Sequence, residues 1–229
     1  MKELLQIHRL SGGYKKDVNI LHDISLTVLQ GESVGIIGLN GSGKSTFGKS
    51  IMGLIPYRYG VMEFDGEDVT GLSTAELSQR GISIMHQGGR VFDNLTIDEN
   101  LKLAGKVDDE FRDLIPLLRE GIGSRMADCL SGGQRHQLAL AMTLLSHPRL
   151  VILDEPSAGL SPKAVEEMYQ ILTTVKQKMG ISIILIEQNI SKAISFCDRS
   201  VLLVQGQISR EFKGQNIKEI EEIMFNNKE

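Results

Sequence analysis

Short apolar segments separated by turn residues fill the first third of the chain. Apolar residues dominate positions 4–10, alternate with polar ones over positions 24–28, and recur over positions 61–64, where the turn pair Asp65-Gly66 follows. A period of two places one side of a strand in a core and the other side toward solvent. We therefore predict an N-terminal antiparallel β-sheet.

From residue 131 onward, amphipathic helical patterns alternate with apolar runs. Two predicted helices begin at the capping serines Ser131 and Ser161, and each precedes an apolar run, over residues 150–153 and 181–186. This alternation is typical of βαβ units, in which helices cover a mainly parallel sheet. We therefore predict an α/β fold with a mixed or parallel core sheet, helices on both faces and the antiparallel β subdomain at the N-terminal end.

The chain is expected to form a single domain over residues 1–229. Residues 1–86 and 130–204 are predicted to form its core, including the antiparallel part. Residues 205–229 are predicted to add a hairpin and a peripheral helix, because a turn pair is followed by apolar residues at helical spacing.

Residues 87–129 are predicted to interrupt this core as a short helical subdomain. One helix is expected near residues 98–103 and another from Asp108. Pro116 should interrupt the second helix, because proline lacks the N–H group that a helix interior needs.

The composition is that of an ordinary folded protein, with 41% hydrophobic and 24% charged residues among 229. The net charge is -4 and no dense Lys/Arg run occurs, so nucleic acid is not expected as a partner. The apolar runs are shorter than the roughly 18 residues of a membrane-spanning helix, so direct membrane insertion is not expected. Two cysteines without a CxxC pair fit a reducing compartment.

A glycine-rich loop joins an apolar strand, residues 34–37, to a helix that Pro56 should end. Residues 38–45, GLNGSGKS, fit the phosphate-binding pattern G-x-x-x-x-G-K-[ST], in which backbone N–H groups and a helix N-terminus face phosphate oxygens. Lys44 should neutralise the β- and γ-phosphates, and the Ser45 hydroxyl should bind Mg²⁺. The candidate nucleotide-binding residues here are Asn40, Gly41, Ser42, Gly43, Lys44, Ser45 and Thr46.

Two carboxylates follow the apolar strand at residues 150–153. Asp154 is suited to hold Mg²⁺ through water, and Glu155 is suited to act as the general base that orients an attacking water. Acidic residues at the solvent end of a strand can also be merely structural. The presence of Lys44 in a phosphate loop of the same chain favours the catalytic interpretation.

A second helix N-terminus can also bind phosphate. Ser131, Gly132, Gly133 and Gln134 place a hydroxyl and two glycines at its start, although Ser131 equally suits an ordinary helix cap. One nucleotide cannot obviously contact both surfaces. A head-to-tail pair of chains solves this, with residues 131–134 of one chain covering the nucleotide on the partner's phosphate loop.

With LSGGQ at residues 130–134, the sequence resembles the ATP-binding subunits of ABC transporters over essentially its whole length. The resemblance implies a P-loop ATPase that binds ATP and Mg²⁺, pairs with a second ATPase subunit as a homo- or heterodimer, and drives integral membrane permease subunits from the cytoplasmic side of the cell membrane. It also implies that Tyr14 stacks on adenine, that Gln87 contacts Mg²⁺ and the attacking water, and that residues 157–161 form the D-loop at the dimer interface.

A closer resemblance is to the ATPases of branched-chain amino acid importers and their urea or amide relatives. It rests on residues 89–92 and 95–101, on residues 154–157 with 159–160, and on residues 186–189, the last reading IEQN. Gln188 stands where most ABC ATPases carry a switch histidine, and its neutral amide can donate to the γ-phosphate but cannot carry a proton. We therefore expect slower hydrolysis than at a histidine-bearing site. Residues 103–129 form a shorter insert than this family leads us to expect.

Other classes use the same nucleotide site, because a fold does not specify the coupled process. One alternative is a soluble ATP-dependent clamp or scaffold, such as those that assist iron–sulfur cluster assembly. A DNA-repair or chromosome ATPase is disfavoured by the acidic balance and by the lack of a coiled-coil insert.

Overall fold

The structure is a computed structural model that describes residues 2–213. The strands in these residues are β1 (Glu3–Gly13), β2 (Leu21–Leu29), β3 (Ser33–Ile37), β4 (Tyr57–Phe64), β5 (Glu67–Asp68), β6 (Ile82–Met85), β7 (Leu150–Asp154), β8 (Ser182–Glu187), β9 (Arg199–Val204) and β10 (Gln207–Phe212). The helices are α1 (Lys44–Ile51), α2 (Thr74–Gln79), α3 (Ile97–Ala104), α4 (Asp109–Arg112), α5 (Pro116–Arg119), α6 (Gly132–Leu144), α7 (Pro162–Met179) and α8 (Ile190–Phe196).

The strands form two sheets. The first is antiparallel, in the order β2-β1-β4-β5. The second has the order β10-β9-β3-β8-β7-β6, and all its neighbouring strands run parallel except β10 against β9. The predicted antiparallel part and the mixed, mainly parallel core sheet are both confirmed.

The six-stranded sheet separates two large hydrophobic cores, and a third, small cluster includes residues of α8 and β10. Side chains on β7 and β8 alternate between the two large cores: Ile152 and Ile184 pack in the core shared with α1 and the antiparallel sheet, whereas Val151 and Ile183 pack with α6 and α7. Helices therefore cover both faces of the sheet, as predicted. Because β3, β7 and β8 are parallel neighbours, their carboxyl ends meet at one edge.

The predicted end of α1 at Pro56 is wrong. The helix ends at Ile51, because Gly53 takes a left-handed φ of 66° and the N–H of Leu54 donates to the carbonyl of Lys49 over 2.9 Å. This glycine-based termination closes the helix before the proline is reached. Leu54, which the periodicity placed on the apolar face, is 40% exposed.

The segment between β6 and α6 carries three short α-helices and then a 3₁₀ helix, Ala127–Cys129. Pro116 begins the third α-helix, so it does interrupt the helical pattern after Asp108. A buried amide organises the segment's start. The Asn100 side chain accepts from the N–H of Phe92 over 2.8 Å and donates to the carbonyls of Phe92 and Thr96. These bonds fix the loop that leads into α3.

The predicted hairpin near the C-terminus is present. β9 and β10 pair antiparallel around the turn Gln205-Gly206, whose residues have φ of 46° and 77°. The peripheral helix expected from the apolar spacing at residues 217–223 lies outside the described residues. Within residues 2–213, no helix combines the length and the apolar character needed to cross a membrane.

Candidate active site

The phosphate loop, residues 38–45, joins β3 to α1 and requires its glycines. Gly41 and Gly43 have φ of 80° and 103°, a region that other residues rarely adopt. A Cβ on Gly38 would lie 2.4 Å from the carbonyl oxygen of Leu203. The loop ends at the N-terminus of α1, so its backbone N–H groups and the helix dipole favour an anion at the same place.

Lys44 places a buried ammonium group at this loop. The residue is 5% exposed, and its Nζ donates to the carbonyls of Gly38 and Leu39, each over 2.9 Å. Burial lowers the pKa of Lys44, while the nearby carboxylates of Glu155 and Asp154 act in the opposite direction. The side chain thus presents a positive charge beside the N–H groups that face the anion site.

The turn after β9 supports the loop from the other side. The N–H of Gly206 donates to the carbonyl of Ser42 over 2.8 Å. The loop residues Asn40, Gly41 and Ser42 line a cavity of about 190 Å³ together with residues 202–205. Thr46 lies within α1 and is buried, whereas Tyr14 follows β1 directly and is 44% exposed. 

Ser45 and Asp154 bring a hydroxyl and a carboxylate into contact at the sheet edge. Ser45 Oγ donates to Asp154 Oδ1 over 2.9 Å, and burial raises the pKa of Asp154. Hydroxyl and carboxylate oxygens are the ligands that Mg²⁺ prefers, so these residues fit that ion. Residues 2–213 contain no group of three or more His, Cys, Asp or Glu side chains suited to enclose a metal.

Glu155 is the point where three predicted residues meet. Its Oε2 accepts from Gln87 Nε2 and its Oε1 from Gln188 Nε2, each over 2.7 Å. The residue is 7% exposed, has a φ of 49°, and donates its backbone N–H to the carbonyl of Ile186 over 2.9 Å. A non-glycine residue in this conformation is strained by about 1–3 kcal/mol, which is typical of functional sites.

One buried carboxylate beside this cluster lies in the IEQN segment, but the sequence assigned it no role. Glu187 closes β8 and is 2% exposed, and it accepts hydrogen bonds from Ser157 and Tyr169. Besides its place in IEQN, its sequence signal is that of an acidic residue at the end of an apolar strand, and that strand neighbours the strand of Asp154.

Residues 131–134, here called the signature surface, start α6. Ser131 Oγ accepts from the N–H of Gln134 over 3.3 Å, and Gln134 Oε1 accepts from the N–H of Ser131 over 3.2 Å. The surface and residues 159–161 line an open cleft of about 480 Å³, and none of its lining residues in the described chain belongs to the phosphate loop or the Glu155 cluster. Within the described chain, the two predicted phosphate-binding surfaces therefore do not lie in one cleft.

Comparison with known proteins defines the class. The ABC transporter family model matches residues 21–158, more than half of the chain. The chain belongs to the ABC transporter family, and it is an ATP-binding and ATP-hydrolysing subunit of a transporter. The resemblance read from LSGGQ and the ATPase activity that it implied are confirmed.

Three relatives cover nearly the whole chain. The high-affinity branched-chain amino acid transport ATP-binding protein BraG of Pseudomonas aeruginosa is 35% identical over 214 residues, 90% of this chain and 91% of the relative. The probable branched-chain amino acid transport ATP-binding protein LivF of Archaeoglobus fulgidus is 36% identical, covering 90% of each chain. The lipopolysaccharide export system ATP-binding protein LptB of Haemophilus influenzae is 30% identical, covering 90% and 88%.

Solved structures agree with the fold. A nucleotide-free ATP-binding cassette of an ABC transporter matches with a TM-score of 0.83 at 26% identity, covering 97% of this chain and 95% of that one. The dimeric post-hydrolysis state of the cassette MJ0796 bound to ADP and Pi matches with a TM-score of 0.79 at 25% identity, covering 93% and 100%. The predicted P-loop fold of the ABC type is confirmed.

Proposed function

We propose that this subunit energises the import of branched-chain amino acids or of a related small polar solute. Two of the relatives above, at 35% and 36% identity, are named as ATP-binding proteins of branched-chain amino acid transport. The lipopolysaccharide export relative is 30% identical, which makes export of a lipid-linked substrate the second candidate. The IEQN segment at residues 186–189 supports the first candidate through its resemblance to the importer ATPases.

The hydrolytic mechanism rests on one observation, the Glu155 carboxylate held between the amides of Gln87 and Gln188. We propose that Glu155 accepts a proton from the attacking water as that water's oxygen bonds to the γ-phosphorus. The bond from this phosphorus to the bridging oxygen of ADP breaks, and ADP and inorganic phosphate leave. The two glutamine amides orient the water and the γ-phosphate.

Residues of the phosphate loop neutralise the negative charge of the nucleotide phosphates. Lys44 and the backbone N–H groups of residues 40–46 hold the β- and γ-phosphates, and Tyr14 packs on the adenine. Ser45, Asp154 and Gln87 would hold Mg²⁺, which when bound neutralises phosphate charge.

A second chain completes the site in this proposal. The signature surface of that chain, whether a copy of this one or a different ATPase, covers the γ-phosphate from the opposite side. Its exposure and its position in a cleft apart from the phosphate loop support this arrangement. ATP binding closes the pair and hydrolysis opens it, which moves the membrane permease subunits between two states.

Isolation of the transporter tests the proposal. A tagged full-length chain is purified with ATP from detergent-solubilised cells of its source, and mass spectrometry identifies what accompanies it. We expect a polytopic permease, and ATP-dependent uptake of labelled leucine once the complex is reconstituted in vesicles. A permease complex that moves no amino acid, urea or amide overturns the importer assignment. Recovery of soluble partners alone favours the scaffold ATPase.

A further inference from the structure

A buried carboxylate joins the loop after β7 to the loop after β8. Glu187 Oε1 accepts from the Ser157 hydroxyl over 2.6 Å and from the Tyr169 hydroxyl over 3.0 Å. Its Oε2 accepts from the backbone N–H of Gln188 over 3.1 Å, with the N–H of Asn189 at 3.4 Å. Both carboxylate oxygens therefore have donors, and these come from three separate segments.

Such a junction resists displacement of any one donor. A carboxylate that is 2% exposed has no water to replace a lost partner, so a donor that moves away leaves a costly unpaired charge. Burial and the Glu187 carboxylate raise the pKa of Tyr169, so this hydroxyl stays protonated and remains a donor on α7. The two loops consequently have a fixed common anchor.

The anchored loops lead to two different places. Ser157 begins the segment 157–161, whose residues 159–161 line the same cleft as the signature surface. Gln188 lies on the other side of Glu187, and its side-chain amide donates to Glu155. Hydrogen bonds, together with the Gln188 residue itself, thus connect segment 157–161 through Glu187 to the carboxylate proposed as general base.

We propose that Glu187 is a positioning residue that orients the Gln188 side-chain amide. This orientation depends on how a second chain binds to segment 157–161. The inference rests on the proposed role of Gln188 and Glu155 in hydrolysis. Seating of the partner fixes Ser157, Ser157 fixes the Glu187 carboxylate, and the carboxylate fixes the backbone from which the Gln188 side chain extends. A displacement of segment 157–161 by a second chain therefore reaches the Gln188 amide and changes the rate of hydrolysis.

Ser157→Ala in the full-length chain tests this link, because it removes the hydroxyl that joins the segment to Glu187. At protein concentrations where the rate per chain is constant, we expect kcat for ATP hydrolysis to fall about tenfold, as loss of one charge-assisted hydrogen bond implies, with KM for ATP within about twofold. Ser157→Thr keeps the hydroxyl and should restore most of the rate. Ser195→Ala removes an exposed hydroxyl on α8 and should change neither parameter.

A double-mutant cycle separates positioning from loss of structure. In a Gln188→Ala background, Ser157→Ala should have no further effect, because its influence passes through Gln188. Multiplicative effects, or an unchanged kcat in Ser157→Ala alone, overturn the inference. If Gln188→Ala and Glu155→Gln themselves leave hydrolysis unchanged, the proposed catalytic site fails instead.

Discussion

The phosphate loop and the signature surface both place glycines and a hydroxyl at a helix N-terminus, yet they differ in burial and charge. Lys44, Asp154 and Glu155 around the loop are 5%, 3% and 7% exposed. The signature surface begins with an exposed Ser131 whose hydroxyl already accepts a bond from its own helix. The loop lies where parallel strands end, whereas the signature surface lies in an open cleft.

This difference separates two tasks. Buried charges interact strongly because little water screens them, so the phosphate loop is suited to stabilise the charge that develops during hydrolysis. A neutral, exposed helix start is suited to dock on a bound nucleotide and to release it. The comparison predicts that variants at the first surface change chemistry most, and that variants at the second change the cooperation of two chains.

Glu155→Gln should have the largest effect. It keeps the size of the side chain but removes the general base, so kcat for ATP hydrolysis should fall by about 10²–10⁴-fold while ATP remains bound. Phosphate release measures the rate, and size exclusion with ATP measures the trapped dimer.

Glu166→Gln is the matched control for this variant. Glu166 is an exposed carboxylate on α7 that pairs with Lys192 at the surface, so this change should leave hydrolysis unaltered. Normal turnover by Glu155→Gln would remove Glu155 from its proposed role.

Ser131→Ala should act more weakly and only on the paired chains. We expect hydrolysis to fall about tenfold at concentrations that support pairing, with ATP affinity of the dilute single chain within twofold. Binding of a fluorescent nucleotide measures the affinity of the single chain, and phosphate release measures the hydrolysis rate of the paired chains. Ser73→Ala removes an equivalent capping box from α2, costing about 1 kcal/mol of stability, and should spare hydrolysis. Equal losses in both variants would point to helix capping alone.

Gln188→His should raise hydrolysis several-fold and make it depend on pH. An amide does not titrate, whereas a histidine ordinarily does near pH 6.5, so the variant should show an additional transition in its rate between about pH 6 and 7. The measurement is the rate of ATP hydrolysis by wild type and variant across this pH range. Gln170→His, on the exposed face of α7, is the control. A wild-type rate equal to or above that of the variant would contradict the expected slow switch.

Asp65→Asn should have the smallest effect, and this effect is on folding stability at low pH. The substitution changes neither the phosphate loop nor the signature surface. Hydrogen bonds from Arg149 and Lys2 hold the pKa of Asp65 well below its ordinary value. A lowered folded-state pKa contributes stability above the unfolded pKa, and this is lost as pH falls through the folded pKa. The wild type should therefore lose more stability than Asp65→Asn below about pH 4.

Urea midpoints at pH 5, 4 and 3 measure this difference. Asparagine tolerates the positive φ of 55° at position 65. Asp17→Asn, at another positive-φ position outside this ion pair, serves as control. Parallel acid profiles for wild type and Asp65→Asn would exclude the proposed contribution.

The regular elements could be predicted from the sequence because local signals agree with the tertiary structure. Ser161, Pro162 and Gly180 bound α7 as their capping preferences require. The helix α2 went unpredicted, although Ser73 and Glu76 form a capping box that the sequence displays.

Contacts between residues far apart in the chain were harder to predict from the sequence. Spacing along the chain does not reveal that Gln87 and Gln188 bind the two oxygens of one carboxylate, since this depends on the order of β6, β7 and β8. Family resemblance named these glutamines as functional, but their shared partner emerges only from the packed strands. The role of Glu187 as an anchor was hidden for the same reason.

The left-handed backbone at Glu155 has a consequence for protein engineering. Glycine or asparagine would relieve the strain at a φ of 49°, so folding stability alone favours their presence at this position. Selection for thermal resistance without selection for turnover would therefore drift toward Glu155→Gly or Glu155→Asn. A library selected in this way would contain chains that still bind nucleotide but have lost the carboxylate, so heat resistance would not indicate that ATP hydrolysis is retained.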